Sequence, residues 1–95
     1  MPAYIIFTRE KLRDAGAIED YTKATKGTNE GFNLKPLVAH GRFEVKEGAA
    51  VEGVVMLEFP TFEEAKAWYE SPGYQAAAQH RFKGADYRVV IVEGR

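Results

Sequence analysis

Two histidines are the obvious chemical groups in this sequence of 95 residues, and only one stands near a strand carboxylate. "LVAHGRFEV" (Leu37 to Val45) and "GVVMLEF" (Gly53 to Phe59) have the β-branched and aromatic content of strands, separated by the turn-like "KEGAAVE". With that turn centred near Ala49, His40 is expected opposite Glu58, and Arg42 opposite Met56. A slip of two residues keeps His40, Arg42 and Glu58 on one face, because strand side chains alternate with period two. A carboxylate beside an imidazole orients the ring and favours its protonated form, as in a general base. The bland alternative is a cross-strand ion pair at a subunit interface. Arg81, beside His80, could fork onto a substrate carboxylate or anchor its helix to a group such as Glu58. Tyr74 follows a Ser-Pro break and is open to either a packing or a binding role. Tyr69 fits core packing better, and Trp68, off its stripe, is expected over the helix surface or a subunit junction. Tyr4 and Thr8, outward on the first strand, could line the same space as His40.

Other chemistries find no support. The chain has no cysteine, so no thiolate nucleophile and no cysteine zinc site. The histidines are far apart, without HxH or HxxxH spacing, and offer a poor case for a metal or haem. "KGTNEG" is not a P-loop, and neither GxGxxG nor GxSxG occurs. We therefore expect no cofactor. A net charge of −1 argues against a nucleic-acid partner. No apolar run approaches the roughly 20 residues that cross a bilayer, and "MPAYIIFTREKL" lacks the features of a signal peptide, so the expected location is the cytoplasm.

The elements that must position these residues are legible in outline. "AYIIFTR" (Ala3 to Arg9) reads as a first strand. Ala17, Ile18, Tyr21, Ala24 and Thr25 recur at helical spacing from Asp14 to about Lys26, with Asp14 as cap and Gly16 weakening the first turn by roughly 1 kcal/mol. "KGTNEGFNLKP" is a loop. Thr61 and Glu64 have capping-box spacing ahead of Phe62, Ala65 and Tyr69. Ser71 and Pro72 start another helix that should end near Phe82, and "YRVVIVE" (Tyr87 to Glu93) is the last strand. The order is that of a ferredoxin-like βαββαβ domain of α+β class, residues 1–95, with a four-stranded antiparallel sheet and its second helix broken at Ser71-Pro72. Ile5, Phe7, Val55, Leu57, Phe59, Val89 and Ile91 share one parity and should pack under the helices. Ile6, Val54, Met56, Val90 and Val92 form an opposite apolar face, which predicts a homodimer packed sheet to sheet.

The stretch from "GVVMLEFPTFEEAKAWYE" to "VVIVEG" resembles the second half of the domain-of-unknown-function 1330 family. The resemblance rests on Glu58, Phe59, Pro60, Tyr69, Ser71, Pro72, Tyr74, Gln75, Arg81, Glu93 and Gly94, and is looser before residue 53. His40 stands where that family commonly carries Arg. The resemblance implies a dimeric α/β barrel, a superfamily that holds small monooxygenases, isomerases, haem-dependent enzymes and plain binding modules. Three functions follow for such a protein. One is a module binding a small organic molecule at the sheet face or subunit interface, through Arg81, Tyr74, Arg42, Met56, Tyr4 and Thr8. The second is a cofactor-independent monooxygenase or isomerase with His40 and Glu58 in proton transfer. The third is a structural or interaction protein without a ligand.

Overall fold

The computed structural model describes residues 1–95. Its order is β1 (Ala3–Leu12), α1 (Ala15–Thr25), β2 (Lys35–Ala39), β3 (Gly53–Phe59), α2 (Phe62–Glu70), α3 (Pro72–Gly84) and β4 (Ala85–Glu93). The strands form one antiparallel sheet in the order β2-β3-β1-β4. This is the ferredoxin-like arrangement, with three helices on one face. The sheet of the chain is open, with β2 and β4 at its edges, and is not itself a barrel.

Local chemistry sets the helix starts. Asp14 accepts from the amides of Gly16 and Ala17 and caps α1. Thr61 accepts from Glu64 N at 3.1 Å and caps α2. Ser71 works at both sides of the break: its hydroxyl donates to Trp68 O at 2.7 Å and accepts from Tyr74 N at 3.3 Å, with Pro72 opening α3. Gln75 Nε2 locks the corner by donating to Tyr69 O at 2.6 Å.

The core lies between the sheet and α2 and α3. Ala3, Ile5, Phe7 and Phe59 contribute from the strands, and Ala65, Trp68, Tyr74 and Ala78 from the helices. Trp68 is buried there, stacked 4.2 Å centroid to centroid on Tyr74, rather than lying over a surface. Gly84 brings α3 onto α1: a Cβ there would stand 2.7 Å from Ile18 Cδ1 and 3.0 Å from the Asp14 carbonyl oxygen. The Gly84 carbonyl accepts from the amides of Arg13 and Asp14 at the same junction.

The second strand departs from expectation. It starts at Lys35, inside the segment expected to be loop, and ends at Ala39, well short of the expected end at Val45, so that residues 40–52 form no strand. Lys35 stands opposite Glu58 and Val38 opposite Met56, with a register shift between Pro36 and Val38. His40 therefore does not face Glu58, and Arg42 does not face Met56. The shift inserts a residue that a strict period of two does not allow for. Parities on the other strands hold, so Ile6, Val54, Met56, Val90 and Val92 share the face away from the helices. Val90 and Val92 are 50% and 45% exposed there.

Candidate functional site

The concave feature with the greatest apolar lining lies on the helix side of the sheet, not on its open face. It is a cleft of about 380 Å³ between α1, the loop after it, and strands β1 to β3. Phe7, Val55, Leu57 and Trp68 form its floor, Ile18 and Tyr21 come from α1, Leu34 and Pro36 from the approach to β2, and Tyr87 from β4. Thr22, Thr25, Asn29, Arg9, Lys26 and His40 supply its polar atoms. The cleft exists because β2 is short and α1 buries none of its residues completely, leaving space above the sheet.

His40 reaches this side through its backbone. After Ala39, which lies opposite Val55, strand alternation would send His40 to the open face. Instead its φ is 60°, in the left-handed region, and the chain turns. Its amide still donates to Val54 O at 3.2 Å. Its Nδ1 lies 3.5 Å from where a Cβ on Gly53 would stand, so that glycine leaves room for the ring. Arg9, opposite Gly53 on β1, is steadied by Glu52, whose Oε1 lies 3.3 Å from Arg9 Nε and accepts from Leu12 N at 2.7 Å.

Behind the cleft wall sits Arg81. It is 3% exposed, and no carboxylate lies within ion-pair distance. Its Nη2 donates to Tyr69 Oη at 3.2 Å, while Nε has no partner. The guanidinium carbon lies 5.6 Å from the Phe7 ring centre, 5.8 Å from Tyr21, 5.0 Å from Phe82 and 5.1 Å from Tyr87. This is a box of aromatic rings holding a cation. Burial works against that charge, but the oxygens of Tyr74, Tyr21 and Tyr69 more than offset it and raise the pKa of Arg81. Tyr21 and Tyr74 share a hydroxyl–hydroxyl hydrogen bond of 2.8 Å, and burial is the main cause that pushes both well above the ordinary tyrosine value. Arg81 also borders a second, open crevice with Phe82 and Val89, which shares Tyr87 with the cleft.

The expected site residues are thus dispersed. His40 lines the cleft; Glu58 lies on the open face, flanked by Tyr4 on β1 and Lys35 on β2. Tyr4, Thr8 and Met56 share that open face, and Arg42 lies exposed in the segment after β2. Tyr74 is completely buried and does not line the cleft itself, but touches three residues that do: Tyr21, Trp68 and Phe7. Arg9, Tyr21, Lys26, Asn29 and Tyr87 line the cleft as well, and none is among the expected site residues. A sequence signal existed for Arg81: Tyr74, Ala77, Ala78 and Arg81 fall on one helical stripe, and all four are buried.

No clustering of His, Asp or Glu in the structure could hold a metal ion, and no helix is long and apolar enough to cross a membrane. No curated protein matches the chain. Among solved structures, a protein of unknown function from Rhodopseudomonas palustris is 20% identical, with a TM-score of 0.72 over 99% of this chain and 82% of its own. A dimeric ferredoxin-like protein of unknown function from Jannaschia sp. CCS1 is 14% identical, with a TM-score of 0.68 over 99% and 100%. SnoaB, a cofactor-independent oxygenase from Streptomyces nogalater, is 10% identical, with a TM-score of 0.64 over 99% and 93%. These likenesses establish the fold. Residues 2–95 match the DUF1330 family, a domain of unknown function, and the chain belongs to it.

Proposed function

We propose that the protein binds a small organic molecule in the cleft between α1 and the sheet, and does so as a homodimer joined through the open sheet faces. The observation that carries the binding reading is the cleft itself. Its volume of about 380 Å³ falls in the range of small-molecule sites, and its walls are apolar with a few polar groups. Dimerisation is supported by the exposed Val90 and Val92 beside Ile6, Val54 and Met56, and by dimeric proteins of the same fold.

A second reading has one observation in its favour. His40 lines the cleft, so the same site could serve a cofactor-independent enzyme in which the imidazole accepts a proton from the bound molecule. The likeness in fold to SnoaB, a cofactor-independent oxygenase, lends this reading support. Glu58 takes no part in this version, because it lies on the other sheet face.

Native mass spectrometry of freshly purified protein tests both halves of the proposal. The expected spectrum shows a dimer carrying a co-purified metabolite. Trp68, the sole tryptophan, lines the cleft and reports its occupation by fluorescence. A metabolite-free spectrum, with no fluorescence response to any member of a metabolite library, would count against binding and leave an interaction protein. Consumption of O₂ or turnover of a bound compound would favour the enzyme.

A further inference from the structure

We infer that the ligand of the cleft is a small organic carboxylate, a ring or compact apolar body bearing one negative charge. The inference rests on the binding reading above and adds the chemical class of the molecule. Three observations lead to it.

The first is the charge of the lining. The chain has 13 Lys and Arg against 14 Asp and Glu, yet the lining contains Arg9, Lys26 and His40 and no acidic residue. Glu52 balances Arg9, but neither Lys26 nor His40 has an acidic partner. The second is Arg81. Three of the rings that box its guanidinium, Phe7, Tyr21 and Tyr87, are also walls of the cleft. A fixed positive charge with no carboxylate partner therefore stands 5.1–5.8 Å from the centres of three rings that line the binding surface. Its field crosses protein rather than water and is weakly screened.

The third observation limits the charge of the ligand. The helix that borders the cleft presents Thr22, Thr25 and Lys26, its C-terminal turn and cap, where carbonyl groups make the end of the helix dipole negative. The site lacks the helix N-terminus or glycine-rich loop that phosphate sites use. The helix end opposes any anion, and a dianion more than a single carboxylate, whose one charge Lys26 or His40 at the rim can offset. The apolar floor of Val55, Leu57 and Trp68 suits the body of the molecule.

The test is an amide-shift NMR titration of the full chain with benzoate, its neutral analogue benzyl alcohol, and inorganic phosphate. Benzoate is expected to bind at least about fivefold more tightly than benzyl alcohol, the scale of one modest charge interaction. The shifts should map to Lys26, His40 and Trp68. Lys26→Met and Arg81→Met should each lower the ratio of benzoate to benzyl alcohol affinity towards one. Equal or tighter binding of benzyl alcohol overturns the carboxylate class and leaves the cleft reading standing. Tighter phosphate binding overturns it in favour of an inorganic anion. Shifts centred on Phe82 and Val89 overturn it by moving the anion to the outer crevice. If none of the three probes binds, the carboxylate proposal fails, while the co-purified metabolite in native mass spectrometry separately decides whether the cleft binds anything.

Discussion

Replacing Arg81 with methionine should cost the protein almost no stability, although Arg81 is among its most buried residues. The favourable side of the account is one hydrogen bond to Tyr69, worth about 1.5–3 kcal/mol for a charged donor, and contacts with four rings at 5.0–5.8 Å, worth roughly 0.5–2 kcal/mol each. The opposing side is the removal of a guanidinium from water without a counter-ion, several kcal/mol, with Nε left unpaired. The two sides nearly cancel. Methionine keeps an unbranched stem of similar length, fills most of the box and brings no charge to desolvate. Tyr74 retains its bond to Tyr21, and Tyr69, which is only part-buried, can turn its hydroxyl to water. We therefore expect Arg81→Met to lie within about 1 kcal/mol of the parent, while Arg81→Ala, which empties the box, loses about 2–4 kcal/mol. Urea unfolding followed by Trp68 fluorescence at fixed protein concentration measures both. An Arg81→Met loss as large as that of Arg81→Ala would refute the reasoning. The charge would then be holding the fold through a carboxylate outside the chain.

Gly84→Ala should destabilise by about 1–3 kcal/mol, because its methyl would meet Ile18 Cδ1 at 2.7 Å and the Asp14 carbonyl at 3.0 Å. Ile18→Val in the same chain should recover part of that loss in a double-mutant cycle by thermal unfolding. His40→Gly should hold or gain stability, and His40→Val should lose about 1 kcal/mol or more, since a β-branched residue resists a φ of 60°; denaturant midpoints check the order. Tyr21 and Tyr74 bind their protons more tightly folded than unfolded, so their contribution is complete below the ordinary tyrosine value near 10. It should be lost as pH rises above that value, and Tyr21→Phe should weaken the dependence in chemical unfolding between neutral and strongly alkaline pH. Val90→Glu on the open face should split the proposed dimer without unfolding the subunit, as read by sedimentation velocity and circular dichroism.

The parts of the fold legible in sequence are those governed by local chemistry. Asp14, Thr61 and Ser71 announce three helix starts, and each side chain makes the capping contact its type suggests. Alternation on β1, β3 and β4 correctly divides inner from outer residues, because β3 and β4 each stay in step with β1 from Ala3 to Arg9. The site was less accessible for two definite reasons. The shift between Pro36 and Val38 and the left-handed turn at His40 are backbone events, and alternation counted along the sequence cannot register them. They moved His40 across the sheet and away from Glu58. Trp68 differs: the apolar stripe of Phe62, Ala65 and Tyr69 leaves it out, whereas Ala65 and Trp68, three apart, are the buried pair of α2. The buried stripe ending in Arg81 was visible, but a stripe does not say that the arginine has no acid to meet.

The short second strand bears on how copies of this protein can associate. As an edge of the sheet it offers backbone groups to any passing strand, the usual route to runaway polymerisation. A copy attempting to extend the sheet there would meet Pro36, which has no N–H to give, then the irregular step before Val38, then the backbone reversal at His40. Lys35 places a charge at the same margin. Growth by adding strands at this edge is blocked within five residues, and the proposed contact through the broad faces would end after one partner has covered another. The same irregularity that opens a cleft on one side of the sheet protects the chain against becoming a fibre.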